Sequence, residues 1–453
     1  MELDKQRERL KDLRPVVRRR ALAALLAARE RGEVAWPQAG SAVNLHCHTI
    51  FSYNGYGHSP ASLAWLAGEQ GWHAVGMVDF DVLDAADECH TSCDLVGVRG
   101  AAGLETRTYV PEFSALEINS PGEPGVCYFI GMGFARTRPP AAAASVLADM
   151  RQRAAERNRL LVGRVNAYLA PVVIDYDRDV LPLTPSGNAT ERHILVAYDA
   201  AARRVWPERA AQVDFWAAKL KMESAAVDRF LGDEPFPHDA IRSKLMKKGG
   251  PGYIQPDAGT FPALDDVSRA IVACGALPIC GWLDGLSQAE QQMDRLLEHL
   301  IARGAAGVNV VPDRNWNLKD PTERALKVGK LNGIMALAAH YDLPVLAGTE
   351  MNKAGQKLVD DFDADALRPY RNAFVQGANW VYGHTLLQRA LRRGYQSAWA
   401  RRALPARRER NAFYTAVGAT VPPGPDTLAR IAALAAANQP DALLAQLTAA
   451  FSA

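Results

Sequence analysis

Cysteine is scarce in this chain. The six in 453 residues, Cys47, Cys89, Cys93, Cys127, Cys274 and Cys280, are scattered. Cys89 and Cys93 form a CxxxC pair with no second pair to complete a zinc ribbon, and nothing suggests a disulfide framework, so a reducing cytoplasm is the expected compartment. Long apolar runs are missing as well. No segment reaches the roughly 18 uninterrupted apolar residues of a spanning helix. The opening Met1-Glu2-Leu3-Asp4-Lys5-Gln6 lacks the apolar core of a signal peptide. Nor is there an excess of one charge: 52 basic against 50 acidic side chains leave +2. So weak a field does not draw in nucleic acid or a membrane surface, and a small molecule is the expected partner. No internal repeat is apparent.

What remains is an ordinary globular composition, 48% hydrophobic and 23% charged, with length for two or three lobes. Residues 1–40 read as a helical segment, basic at first and alanine-rich later. A surface helix packing Leu10, Leu13, Val17 and Leu25 accounts for it better than a nucleic-acid arm. From 41 to 135 strands and helices alternate. A helix over Pro60–Glu69 is opened by Ser59 as N-cap and Pro60 in the first turn. Strands are expected at 74–78, at 95–98 with 102–104, and at 126–130. Residues 136–262 are mainly helical, with a long arginine-bearing helix over 141–168, and read as an insertion that caps the rest. Alternation returns over 263–385, with strands at 276–280, 307–311 and 343–347. Residues 386–453 form a helical extension. Such alternation predicts an α/β parallel sheet or barrel, whose chemistry collects at the strands' carboxyl ends.

The strand ends supply the candidate residues. In Asn44-Leu45-His46-Cys47-His48-Thr49 the two histidines are two apart. On a strand their imidazoles share a side and can grip one metal ion. The alternative is a strand with two inward polar residues and no ion. Asp79 and Glu105 also end strands, as does Glu350 in Gly348-Thr349-Glu350-Met351-Asn352.

These motifs, in this order, resemble the PHP superfamily, the polymerase-and-histidinol-phosphatase metallohydrolases. They are HxHT…S…NG from His46 to Gly55, the strand ending in Asp79, Gly103-Leu104-Glu105, and the late Gly348-Thr349-Glu350. The likeness covers 41–135 and 263–355. More loosely it includes the insertion, where residues 188–194 and 249–254 are similar to the helical cap of nucleotide- and phosphate-processing members. It implies a distorted (β/α)7 TIM-like barrel of PHP type, with a helical insertion and a helical C-terminal extension, carrying one to three metal ions. It implies a first ion held by His46, His48, Glu105 and Glu350, the last standing where the family has an aspartate. The positions for a second ion fall on Tyr128 and Trp282, which do not replace histidine well. Those for a third fall on Asn54, Phe80 and Asn352. One divalent ion, zinc, manganese or iron, is therefore expected, and the N,N,O,O donor set suits any of the three.

Other candidates are read from position. Glu117 rivals Glu105 as ligand; Gly103 favours Glu105. Asp79 is a general base or a partner that orients a histidine. Arg107, two residues past Glu105, faces the same way and either clamps an anionic group or pairs with a barrel acid. Asn188 and Glu191 have capping-box spacing, which puts Arg192 and His193 in a first helical turn, from which either can hang into the cleft as a substrate contact; an ordinary surface position is the alternative for His193, and the favoured one. Trp282, Asp284 and Asn352 lie past strand ends as further substrate contacts, although core packing explains Trp282 nearly as well. His384 is a candidate proton donor. The expected activity is metal-dependent hydrolysis, with phosphoesterase as the family default. Its rivals are single-metal lyase, isomerase or hydrolase chemistry on a carbohydrate or carboxylate, and a degenerate barrel kept as a binding module.

Overall fold

The computed structural model describes residues 2–232 and 238–452. Seven strands form one sheet in sequence order: β1 (Val43–Cys47), β2 (Ala74–Phe80), β3 (Arg99–Tyr109), β4 (Val126–Met132), β5 (Leu277–Gly281), β6 (Gly307–Val310) and β7 (Val345–Ala347). Their near-continuous burial is that of strands covered on both faces. The sheet curls until its edges meet. Glu350 N donates to His46 O (2.7 Å) and His48 N to Glu350 O (2.8 Å), a parallel bridge that nearly closes a barrel. Gly348 makes the closure possible, since a Cβ there would lie 2.4 Å from the His46 backbone N.

β1 to β3 run parallel, as do β5 to β7, but β4 is antiparallel to both its neighbours. Simple strand–helix alternation did not foretell this reversal. Residues 110–125 hold only a 3-10 turn, too little chain for a crossover helix, so the next strand returns alongside β3.

Helices α1 (Glu2–Arg9), α2 (Pro15–Glu30), α3 (Pro60–Glu69) and α4 (Ala86–Val96) pack against the first strands. Ser59 caps α3, its side chain accepting from Ser62 N. Residues 95–98, expected as strand, instead end α4 and turn into β3: Gly97 takes a left-handed φ of 81° as C-cap.

Between β4 and β5 the chain forms α5 (Ala141–Leu169), α6 (Glu191–Val205), α7 (Arg209–Leu220), α8 (Ser224–Gly232) and α9 (His238–Leu245). α5 belongs to two cores. Its Met150 packs in the barrel cluster, whereas Leu161, Val162, Val165 and Leu169 pack with Tyr198, Trp216 and other residues of the inserted helices. The N-cap of α6 lies two residues later than the expected Asn188. Thr190 is its N-cap and His193, not Glu191, is the reciprocal partner, while the Asn188 side chain donates to Phe51 O (3.1 Å) and Phe80 O (2.8 Å).

The remaining barrel helices are α10 (Leu264–Ala273), α11 (Met293–Ala302), α12 (Asp313–Trp316), α13 (Pro321–His340) and α14 (Arg371–Leu391). Four shorter helices follow over 398–451 and pack Tyr414, Val417 and Leu443 into the barrel cluster. Among the described residues no helix is long and apolar enough to cross a membrane.

Candidate metal centre and its cleft

β1 carries His46 inward, His48 follows at its carboxyl end, and β3 brings Glu105 to the same point. Glu105 Oε2 lies 3.6 Å from both His46 Nε2 and His48 Nε2. One ligand atom from each residue falls within 4.8 Å of the other two, a spacing that fits a single ion. His46, His48 and Glu105 are buried, and neither Nε2 has a hydrogen-bond partner. Two buried imidazole nitrogens without partners are costly unless something else binds them.

Their tautomers are set from behind. Asn309 donates from Nδ2 to Leu346 O (3.2 Å), which turns its Oδ1 toward His46 Nδ1 at 2.9 Å. The Nδ1 therefore carries the proton and Nε2 presents its lone pair. Ser52 Oγ gives its hydrogen to Asp79 Oδ1 (2.6 Å), so at 3.4 Å from His48 Nδ1 it acts as acceptor. His48 also stacks on Phe80, with centroids 4.3 Å apart. Burial, the neighbouring His46 and Arg192 push His48 well below its ordinary pKa, which keeps it neutral. Burial opposes charge on His46 too, but Glu105 and Glu350 outweigh it and hold this pKa up. An oriented pair of ring nitrogens with one carboxylate is a donor set for a divalent transition metal, completed by substrate or water.

Glu350, expected as the fourth ligand, is placed differently. It lies at the barrel closure with a left-handed φ of 66°. Its Oε2 accepts from Arg314 NH2 (2.5 Å) and Asn352 Nδ2 (2.9 Å). Although burial works the other way, Arg314 and His46 hold its pKa below the usual carboxylate range. Glu350 borders the centre as the partner of an arginine. Glu117 is remote from the histidines, on the loop against Gln288 and Ala289, so Glu105 is the acid that joins them.

The centre forms one end of a cavity of about 430 Å3 at the strands' carboxyl ends. Arg107 and Tyr128, opposite each other on β3 and β4, both line it. Arg107 NH1 pairs with Glu123 Oε2 at 3.0 Å. Trp282 follows β5 into the wall. From α6 comes Arg192, whose NH2 reaches Asp239 Oδ1 and Asn352 Oδ1, each at 3.2 Å.

Four expected residues do not face this cavity. Asp79 lies behind it, fully buried, accepting from Thr49 N (2.8 Å), Thr49 Oγ1 (2.7 Å) and Ser52 Oγ. Burial pushes its pKa up to about 6 against those bonds. It holds the loop that seats His48 and does not reach the cleft as a base. His193 serves the start of α6, its Nδ1 accepting from Thr190 N (3.1 Å), and meets Tyr53 edge-on. Asp284 accepts from Leu286 N and pairs with Lys327 at 3.2 Å. His384 is wholly buried on α14. Its Nε2 meets Gly133 O (3.1 Å) and its Nδ1 accepts from Tyr395 N (2.9 Å). Gly133 follows reversed strand β4, so His384 sits at the opposite end of the barrel and is no proton donor to the cleft.

Several cleft residues were not singled out from sequence: Asn309 at the end of β6, Arg314 on α12, Arg157 on α5, and Asp81. Asn309 lies near the carboxyl end of β6, and Asp81 and Arg314 lie just past a strand end, the signal that would have found them. Asp81, at a left-handed φ of 61°, accepts from Thr106 Oγ1 at 2.5 Å, and burial pushes its pKa up.

No protein-family model and no curated protein matches the chain. Among solved structures it is similar to one from Bifidobacterium adolescentis provisionally assigned as a metal-dependent phosphoesterase, with 21% identity over 75% of this chain and 98% of that one and a TM-score of 0.46. It is also similar to an amidohydrolase from Chromobacterium violaceum with bound sulfate and no metal, with 15% identity over 74% and 96% of the two chains and a TM-score of 0.47. Likenesses this distant establish neither family nor reaction.

Proposed function

We propose that the protein is a metal-dependent hydrolase of the PHP type, in a one-ion form, that cleaves a phosphoester of a small anionic substrate. The observation that carries this reading is the pair of buried, partnerless Nε2 atoms of His46 and His48, both 3.6 Å from Glu105 Oε2. The order of sequence motifs and the seven-stranded barrel support the superfamily. When bound, a divalent ion supplies Lewis-acid polarisation of a substrate oxygen and lowers the pKa of a water. The chain does the rest. Asn309 and Ser52 keep the imidazoles aimed. Arg314 and Arg192 present guanidinium groups to an anionic oxygen, a geometry that suits phosphate or carboxylate. Asp81 lines the same cavity from just past the end of β2.

The test is metal analysis of the purified protein followed by a substrate panel. About one equivalent of zinc, manganese or iron is expected, lost in His46→Ala and in His48→Ala, with turnover of phosphoesters but not of sugar lactones or uronates. Absence of metal after incubation with all three ions would leave the barrel a binding module. Metal loading with turnover of only the sugar acids would move the reading to carbohydrate chemistry.

A further inference from the structure

Beyond the metal-centre cavity lies a second one, of about 570 Å3, between α5 and the 246–261 loop. The two share a wall of Arg107, Arg157, Asn158, Glu191 and Lys247. Most charges in that wall are matched. Lys247 Nζ lies 2.9 Å and Arg242 Nε 2.5 Å from Glu191 Oε2, and Arg107 pairs with Glu123. Arg157 is the exception. Among the described residues it makes no hydrogen bond, and no carboxylate oxygen lies within the 4.0 Å of an ion pair. Its guanidinium carbon stands 4.6 Å from the centre of the Phe261 ring, and that of Arg107 stands 4.3 Å from the same ring. Two guanidinium groups thus stack on one buried aromatic ring, in the wall that both cavities share. Asp81, Glu191 and Glu123 face Arg157 from farther off, yet burial and Arg107 still push its pKa down to about 10. Like charges are not brought together in a half-buried wall without cost. An anion that takes N–H groups from both along the shared wall would remove that cost and use the donor fork of each group.

We propose that Arg107 and Arg157 form a second anion subsite, which grips a phosphate, sulfate or carboxylate of the substrate remote from the bond that is broken. Arg107 is two residues beyond Glu105 on β3, which puts the subsite about 7 Å along the strand from the metal centre. The substrate therefore bears two anionic groups, one at the reacting centre and one at this clamp. The body attached to the second extends into the outer cavity, past Leu161, Met246, Tyr253 and Ile254. Assigning the clamped anion to a substrate rests on the hydrolase reading; the clamp itself does not.

The experiment measures the thermal midpoint of the full chain with and without millimolar inorganic phosphate, and again with pyrophosphate, under chelator so that the metal centre makes no contribution. Wild type should be stabilised by both. Arg157→Met should lose that shift while melting no lower than wild type without anion, because it removes a repulsion. Arg157→Lys, which keeps the charge without the fork, should retain only part of it. On a substrate found in the metal-loaded enzyme, Arg157→Met should raise KM about ten- to a hundredfold with kcat little changed. An equal phosphate shift in wild type and Arg157→Met overturns the subsite, whatever the enzyme hydrolyses. A shift lost in Arg157→Met from a protein that turns over no phosphoester sustains the subsite and rejects the reaction.

Discussion

At the scale of single residues, the aim of two imidazole rings decides whether an ion is held. Asn309→Leu removes the oxygen that fixes the His46 tautomer and should weaken metal binding about 10–100-fold, measured by competition with a chromophoric chelator. Glu105→Gln should abolish binding in the same assay. Glu350→Gln should cost much less, since that carboxylate is committed to Arg314 and Asn352. A second titratable group, away from the cleft, has a readable effect on folding. Asp360 is buried, accepts from Trp316 Nε1 (3.0 Å) through one oxygen, and its other oxygen has no partner. Burial pushes its pKa up to about 7 from 3.8. A carboxyl raised on folding binds its proton more tightly in the folded state. Its contribution is full below the unfolded value and is lost as pH climbs from about 4 through 7, at up to about 1.4 kcal/mol per pH unit. Asp360→Asn should flatten that slope and be more stable than wild type at pH 8, by urea denaturation. Members of the cluster were legible where a motif and a strand end coincided, as at His46, His48 and Glu105. They were not where a side chain's direction depends on a neighbour far off in sequence. Glu350 stands at its expected place, but Arg314, 36 positions earlier, turns its carboxylate.

At the scale of elements, the barrel's seam carries the most consequence. Gly348 lets β7 run against His46 with no room for a side chain. Gly348→Ala should destabilise the fold by about 1–3 kcal/mol and displace His46, so that metal affinity falls along with the denaturation midpoint. Retained metal affinity with an unchanged midpoint would show that the seam can open without disturbing the centre. Strands and helices were readable because the parallel strands are buried and largely apolar and their helices carry caps such as Ser59. The direction of β4 was not readable. Strand sequence is alike either way, and only the short connection after β3 forces the return. The expected roles of His384 and Asp79 failed for related reasons: a reversed neighbour puts the first at the far end of the barrel, and the second faces the loop behind His48.

At the scale of the whole molecule, β1 and β3 meet at the candidate metal centre. Binding to the folded chain alone stabilises it by about 2.7 kcal/mol at a hundredfold excess over Kd. The melting temperature should therefore rise with added zinc or manganese, fall on chelation, and do neither in the His46→Ala, His48→Ala double variant. A melting temperature indifferent to every divalent ion in wild type would remove the centre's structural role. The other long-range link is α5. Because β4 descends, the chain must climb back before the inserted helices begin, and 29 residues of α5 do so, a length of about 44 Å. The helix acts as a ruler with a phase as well as a length. One residue added between Met150 and Arg157 would advance everything beyond by about 1.5 Å and rotate it by about 100°, swinging that guanidinium away from Phe261 while leaving every barrel strand where it is.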